Sequence, residues 1–168
     1  MTVTGPDGER QLCHLMTRYE RDLLRTCCAI LGDRQLAEDA VQETFLKAYR
    51  HLDEFRGESG EKTWLMRIAS NVCSDQRRSR WFRFMDRRVT PEELPDSGCT
   101  PRDTALSDAI LRLPHKQKEA VLLYYYHGMT LEETAAALGV RPASASLRLK
   151  RARAQLKNLL GGDDQDEN

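Results

Sequence analysis

Basic side chains are concentrated in two stretches of the chain, although the formal net charge is zero. Guanidinium and ammonium groups bind phosphate oxygens, so such clusters indicate surfaces for a polyanion. The first stretch contains Arg67, Arg77, Arg78, Arg80, Arg83, Arg87 and Arg88, opposed by only Asp75 and Asp86. The second contains Arg141, Arg148, Lys150, Arg151, Arg153 and Lys157 and no acid. Either alone could be a solvated helix face, but two of them, each at the end of a helical unit, favour nucleic-acid binding.

The chain shows no pattern of side chains for bond-making chemistry or for metal binding. Its five cysteines form no C-x-x-C pair and no zinc-ligand spacing; they are Cys13, Cys27, Cys28, Cys73 and Cys99. The carboxylates near Asp39 and Glu43 lack accompanying ligands, which disfavours an enzyme acting on nucleic acid. We therefore predict reduced thiols, no catalytic residue, no metal and no cofactor. A redox role stays open for Cys99, which lies in a predicted linker, and for the other cysteines.

A helix-turn-helix is predicted between 128 and 160. Thr130 and Glu133 have the spacing of a capping box, and Gly139 permits a tight turn before Pro142 opens a long helix. That helix would bury Ala145, Leu149, Ala152, Leu156 and Leu159, and its other face carries Ser144, Ser146, Leu147, Arg148 and Arg151, with Lys150 alongside. The polar residues at the start of the exposed face could contact base edges, and the cations that follow could bind phosphates. This arrangement suits a recognition helix in the major groove. A plain αα-hairpin is the alternative.

A second candidate surface lies on the helix that begins near Trp64. A buried stripe of Trp64, Ile68 and Val72 would leave Arg67, Asn71, Ser74 and Asp75 on another face, followed by Arg77 and Arg78. Asn and Asp side chains beside a basic track could bind an unstacked base and its phosphates. Asn71 could equally be a surface amide, and Trp64 a core residue.

A third candidate surface is the amphipathic segment 39–52. It combines an apolar stripe with a polar face of Asp39, Gln42, Glu43 and Lys47. That face has no obvious role within the chain, although any two-faced helix would show the same pattern.

Helical periodicity accounts for the elements that carry these surfaces, and no segment alternates with period two, so strands are not expected. One stripe contains Leu12, Leu15, Met16, Tyr19, Leu23, Leu24 and Cys27, and Gly32 then suits a helix end. A second contains Leu36, Ala40, Val41, Phe45, Ala48, Tyr49 and Leu52, before the polar stretch 53–60. Beyond Thr100, four helices are predicted: around 106–113, 115–126, 131–138 and 142–160.

The chain is predicted to be all-α, with two small helical domains joined by a flexible linker. We expect domains at 1–84 and 101–162, a linker at 85–100 rich in proline and glycine, and an acidic tail at 163–168. Thr90-Pro-Glu-Glu93 could form one capped turn in the linker, and Thr100-Pro-Arg-Asp103 opens the next helix. No apolar run approaches the roughly 20 residues that span a bilayer, and no signal peptide is evident. We expect a cytoplasmic protein without membrane insertion.

The order of these motifs resembles the sigma-70 family of RNA polymerase subunits. EDAVQETFLKAYR at 38–50 is similar to the polymerase-binding helix of region 2, and TWLMRIASNVCSDQRR at 63–78 resembles its promoter-melting helix. The run from Leu113 to Val140, followed by LRLKRAR, resembles region 4. The resemblance spans about 10–160. The absence of other sigma regions points to the extracytoplasmic-function group, whose members act in stress responses.

The resemblance implies a non-enzymatic factor that binds core polymerase, directs it to promoters and helps to melt DNA. Core contacts, on the β′ clamp helices, would be made by Asp39, Gln42, Glu43 and Lys47, and the β flap is a further contact. The loop 55–61 would capture a flipped base of the −10 element; the −10 set is Phe55, Arg56, Gly57, Glu58, Arg67, Asn71, Asp75, Arg77 and Arg78. The −35 duplex would meet Ser144, Ser146, Leu147, Arg148, Lys150, Arg151 and Arg153. An anti-sigma protein is an implied partner.

The recognition helix departs from the family pattern at its start. The family usually has GTVKSRL, whereas this chain has ASASLRL, with Ser146 replacing the lysine and Leu147 standing where a serine is usual. The departure affects the expected −35 sequence preference, and Leu147 could touch a thymine methyl. A stand-alone helix-turn-helix regulator remains the main alternative, although it would leave the first domain without a purpose.

Overall fold

A computed structural model describes residues 5–87 and 105–161, and every regular element in those ranges is helical. The chain separates into two compact units, Met1–Cys99 and Thr100–Asn168. The prediction of an all-α chain with two helical units is confirmed. The predictions for the capped turn at Thr90, for Cys99, for the cap at Thr100 and for the acidic tail fall outside the described residues.

Three long helices make up the first unit: α1 (Pro6–Leu31), α2 (Arg34–Arg50) and α3 (Glu61–Arg87), with a short 3-10 turn at Leu52–Glu54. Gly32 ends α1 at φ 66°, and its N–H donates to the carbonyl of Cys28 at 2.8 Å. The Asp33 side chain then caps α2 by accepting from the Leu36 N–H at 3.0 Å. The predicted end of the first helix is confirmed. Helix α3 continues beyond Met85, where the apolar periodicity lapses, since no proline intervenes before Pro91.

The core of the first unit is formed by α1, α2 and α3 together. Its fully enclosed side chains include Leu15, Leu23, Cys27, Leu65, Met66, Val72 and Cys73. Most residues of the apolar stripes predicted for the first two helices are buried or half-buried, but Met16 is 37% exposed. The predicted stripe on α3 is wrong in part, because Trp64 and Ile68 are only half-buried. Helix α3 packs against both α1 and α2, so two adjacent rows of side chains turn inward.

The second unit contains α4 (Ala105–Leu111), α5 (His115–Val121), α6 (Leu131–Leu138) and α7 (Pro142–Gly161). Its core is built from Leu113, Ala120, Val121, Leu149 and Ala152, with Leu131, Leu138 and Leu156 packed against it. Leu159, predicted to be buried, is 41% exposed, whereas Leu156, one turn earlier on α7, still packs against this core.

A π-helical segment, Leu122–Tyr126, continues α5. At its end the His127 N–H donates to the carbonyl of Leu122 at 3.0 Å, five residues back. The sequence predicted one regular helix over 115–126. Helical periodicity cannot reveal the single wider turn, which changes the direction of the tyrosines within it.

Candidate polymerase and nucleic-acid interfaces

The polar face of α2 is the first candidate interface. Asp39 and Gln42 are exposed, whereas Glu43 and Lys47 are half-buried. Lys47 Nζ lies 3.2 Å from Glu43 Oε1 and 4.0 Å from Asp75 Oδ2 on α3. The expectation that this face has no role within the chain is therefore wrong for Glu43 and Lys47, which pair inside the domain.

An exposed leucine lies on the same face of α2. Leu46 is 56% exposed, the most of the large apolar side chains in the described residues. Asp39, Gln42 and Leu46 follow a spacing of three and four residues, so they share one side of the helix. Exposed apolar side chains inside a polar face are typical of the centre of a protein interface. Sequence reasoning missed Leu46, although its position off the apolar stripe could have revealed it.

A continuous stripe along α3 forms the second candidate interface. Its members follow the spacing 3-4-3-4 that keeps side chains on one face; they are Trp64, Arg67, Asn71, Ser74 and Arg78. Arg67, Asn71 and Arg78 are exposed, and Ser74 is half-buried. The stripe thus offers an amide between two cations. Arg77 is exposed but lies to one side of it.

The loop between the 3-10 turn and α3 packs onto the N-terminal end of this stripe. The rings of Phe55 and Trp64 have centroids 4.8 Å apart and are tilted by 34°. Arg56, Gly57 and Glu58 are exposed, and Gly57 takes φ 72°, a conformation that residues with a side chain rarely adopt. Half-burial of Phe55 and Trp64 leaves part of this aromatic pair accessible at the end of the polar stripe.

The start of α3 is held to α1 by polar contacts. The Tyr19 hydroxyl donates to Glu61 Oε2 at 3.2 Å, and His14 Nε2 lies 4.0 Å from the same oxygen. Burial raises the pKa of the Tyr19 hydroxyl, and the Glu61 carboxylate adds to that shift. One residue further along α3, Lys62 pairs with Asp22 at 3.5 Å. These contacts fix the end of the loop, so Glu61 serves as an anchor.

Asp75 lies between the first two interfaces. One of its oxygens is 4.0 Å from Lys47 Nζ, and the other is 3.8 Å from Arg78 Nη2. Together with Glu43 these residues form a chain of alternating charges from α2 to α3. Asp75 is therefore engaged with two cations.

The outward side of α7 is the third candidate interface. The predicted inward residues Ala145, Leu149 and Ala152 are at most 3% exposed. The predicted −35 residues are exposed, apart from half-buried Arg148, and include Leu147 at 46%. The structure therefore brings Ser144, Ser146, Leu147, Lys150, Arg151 and Arg153 onto the accessible surface of one helix.

Local contacts fix the turn that presents α7. Thr130 Oγ1 accepts from the Glu133 N–H at 3.1 Å, and Glu133 Oε2 accepts from the Thr130 N–H at 2.8 Å. Gly139 ends α6 at φ 66°, with its N–H directed to Ala135 and Ala136 carbonyls. The predicted capping box and glycine turn are confirmed, which supports a helix-turn-helix.

Arg153 has an additional partner that sequence reasoning missed. Its Nη1 donates to the hydroxyl of Tyr125, in the π-helical segment, at 2.8 Å. No sequence spacing signals this pair, because the residues lie 28 positions apart.

In the described part of the chain, no group of three or more His, Cys, Asp or Glu side chains is arranged to hold a metal ion. The helices described there also contain none that is long and apolar enough to cross a membrane.

Comparison with known proteins matches both units to one family. Residues 15–83 match the model of sigma-70 region 2, and residues 103–156 match the model of sigma-70 region 4. The ECF RNA polymerase sigma factor SigM of Mycobacterium tuberculosis is 34% identical over 152 residues, which cover 88% of this chain and 76% of SigM. SigW of Bacillus subtilis is 28% identical, covering 84% of each chain.

Two solved sigma factors have a similar structure. One is RpoE of Bartonella quintana, in complex with the anti-sigma factor NepR, with a TM-score of 0.73, 25% identity and coverage of 94% of this chain and 98% of RpoE. The other is CnrH, in complex with the cytosolic domain of CnrY, with a TM-score of 0.67, 27% identity and coverage of 93% of this chain and 91% of CnrH. The chain belongs to the sigma-70 family and is an RNA polymerase sigma factor of the extracytoplasmic-function group.

Proposed function

We propose that the three interfaces perform three successive steps of transcription initiation. The α2 face, with Asp39, Gln42 and Leu46, binds the β′ clamp helices of core polymerase. The outward side of α7 binds the −35 duplex. The α3 stripe and the loop 55–61 then hold the melted −10 strand. The β flap is a further polymerase contact. Both partners lie in the cytoplasm, where we propose that the protein acts.

The observation that carries the proposal is the stripe on α3. A duplex reader needs only a recognition helix, whereas this chain also carries an amide between two arginines, ending at a half-exposed aromatic pair. Aromatic rings and a cationic track are what unstacked bases and their phosphates require. Trapping extruded bases would offset the few kcal/mol that unstacking costs, so melting needs binding energy and no bond chemistry.

Run-off transcription with core polymerase on a promoter library tests the proposal. We expect transcripts from a specific subset of promoters only when the protein is added. Failure to stimulate initiation on any promoter would contradict it.

A gel shift with the protein alone distinguishes the main alternative. We expect weak binding to the promoter duplex in the absence of polymerase. Tight and specific binding by the free protein would support a stand-alone helix-turn-helix regulator.

We also propose that an anti-sigma protein controls this factor. The two similar structures support this idea, since RpoE is bound to an anti-sigma factor and CnrH to a cytosolic domain of CnrY. A protein co-purified with the tagged full chain should block run-off transcription when it is added back. A co-purified protein that leaves transcription unchanged would not be such a regulator.

A further inference from the structure

The Tyr125–Arg153 pair forms a polar surface cluster at the edge of the recognition helix. The Tyr125 hydroxyl oxygen accepts from Arg153 Nη1 at 2.8 Å, so its own O–H remains a donor. A guanidinium has five N–H donors, and this bond uses one of them. Both residues are exposed, Tyr125 to 52%. The pair therefore presents a neutral O–H and a cationic donor group side by side.

The position of Arg153 on α7 indicates what these donors would meet. At 3.6 residues per turn, Arg148 and Arg153 lie on opposite sides of the buried row of Ala145, Leu149 and Ala152. A helix in the major groove turns its outward side to the base edges, and its two flanks face the phosphodiester strands that border the groove. Arg153 occupies one of those flanks.

The π-helical segment explains why a tyrosine reaches this flank. Tyr124 is half-buried and packs against the core of the second unit, while Tyr125 and Tyr126 are each 52% exposed. The wider turn, closed by the bond from the His127 N–H to the Leu122 carbonyl, accommodates one extra residue. Such π turns occur frequently at functional sites.

We propose that Tyr125 and Arg153 together bind one phosphate of the DNA backbone beside the −35 element. The inference rests on the proposed role of α7. The phosphate oxygens would accept from the Tyr125 O–H and from a guanidinium N–H, and hydrogen bonds that involve ionised groups are the stronger kind. The bond between the two side chains holds the guanidinium before DNA arrives, which reduces the entropy lost on binding. Tyr125 is thus both a contact and a positioning residue for Arg153.

The test measures closed-complex affinity of reconstituted holoenzyme for a promoter from the run-off library, across a range of salt concentrations. Tyr125→Phe should weaken binding about threefold to tenfold, the effect of losing one hydrogen bond of this kind. Arg153→Ala should weaken binding further and lower the salt slope by about one unit. In the Arg153→Ala background, Tyr125→Phe should have little additional effect, because the two act as one site. Tyr126→Phe, at equal exposure, is the matched control and should bind like wild type.

Circular dichroism melting confirms that each variant folds. Wild-type affinity of Tyr125→Phe, or independent effects of the two substitutions, would overturn the phosphate site. Arg148→Ala reports on α7 separately, since Arg148 lies on the other flank. If Arg148→Ala weakens binding and Tyr125→Phe does not, only the proposed phosphate site at Tyr125 and Arg153 is wrong, and the assignment of α7 to the −35 element stands. If Arg148→Ala and Arg153→Ala both bind normally, the assignment of α7 to the −35 element fails and the pair fails with it.

Discussion

The ammonium group of Lys47 lies 4.0 Å from a carboxylate oxygen of Asp75, and this ion pair joins α2 to α3. Lys47 is also 3.2 Å from Glu43, and Asp75 is 3.8 Å from Arg78. Exposed ion pairs contribute only about 0–1 kcal/mol each, so this chain of charges is a weak brace. Its consequence is that a charge reversal at Lys47 acts on the domain as well as on the proposed polymerase contact.

Gln42 therefore provides a cleaner test of polymerase binding than Lys47. We expect Gln42→Ala to weaken association with core polymerase without changing the melting temperature, because the side chain is exposed. Lys47→Glu should weaken association and also lower the melting temperature, since it places a third carboxylate beside Glu43 and Asp75. Pull-down with core polymerase and thermal melting measure the two effects. Gln11→Ala, an exposed glutamine on α1, is the control. Normal retention of Gln42→Ala on core polymerase would argue against the α2 assignment.

Leu46 is expected to be the apolar anchor of the same interface. Burying a leucine side chain contributes about 1.5–3 kcal/mol, and Leu46 is 56% exposed before binding. We expect Leu46→Ser to reduce affinity for core polymerase about fivefold to tenfold, as measured by competition with the wild-type factor. The free protein should melt at the wild-type temperature. Met16→Ser, at 37% exposure on α1, is the matched control. Equal competition by Leu46→Ser would show that polymerase leaves this leucine in solvent.

Much of the fold follows from the sequence because its determinants are local. The glycine ends at Gly32 and Gly139 and the capping box of Thr130 are short-range patterns, and each forms as expected. The predicted inward row of α7 is confirmed for Ala145, Leu149 and Ala152 and is wrong for Leu159. Predictions of burial fail where tertiary packing determines which face of a helix is covered. On α3, which packs against both α1 and α2, Trp64 was expected in the core but is half-buried.

The sequence predicts most residues of the candidate sites, although not Leu46 or Tyr125, and it does not predict how these residues pair. Phe55 with Trp64, Lys47 with Asp75 and Tyr125 with Arg153 each join residues on different elements. Such contacts depend on how the helices are placed, and no spacing along the chain encodes them. The π-helical turn was missed for a related reason, since one wider turn hardly alters the hydrophobic period.

The aromatic pair at the end of the α3 stripe should position the loop 55–61 for the proposed binding of the −10 strand. An aromatic pair contributes about 0.5–1.5 kcal/mol beyond the burial of its surface, so Phe55→Ala should loosen the loop without unfolding the domain. We expect fewer open complexes at unchanged closed-complex affinity, as shown by permanganate reactivity of unpaired thymines. Phe55→Tyr retains the ring and should restore opening. Wild-type opening by Phe55→Ala would mean that the pair serves only packing.

Asn71 and Arg148 should separate promoter opening from promoter binding. Asn71 lies exposed between Arg67 and Arg78 on α3, where a base-reading amide alters discrimination more than electrostatics. Asn71→Ala should therefore reduce permanganate-reactive thymines while closed-complex affinity persists. Arg148→Ala should lower closed-complex affinity and the salt slope by about one unit, and leave the opened fraction of bound complexes nearly unchanged.

The double variant extends this test, because the two residues belong to different units of the chain. If they act at separate steps, their effects on transcript yield should multiply. Run-off assays of the single and double variants on one promoter measure this directly. If the Asn71→Ala variant opens promoters normally, α3 has only a structural role, and the assignment of melting to its stripe would have to be withdrawn. A loss of opening with Arg148→Ala alone, at saturating holoenzyme, would instead show that α7 acts beyond the binding step.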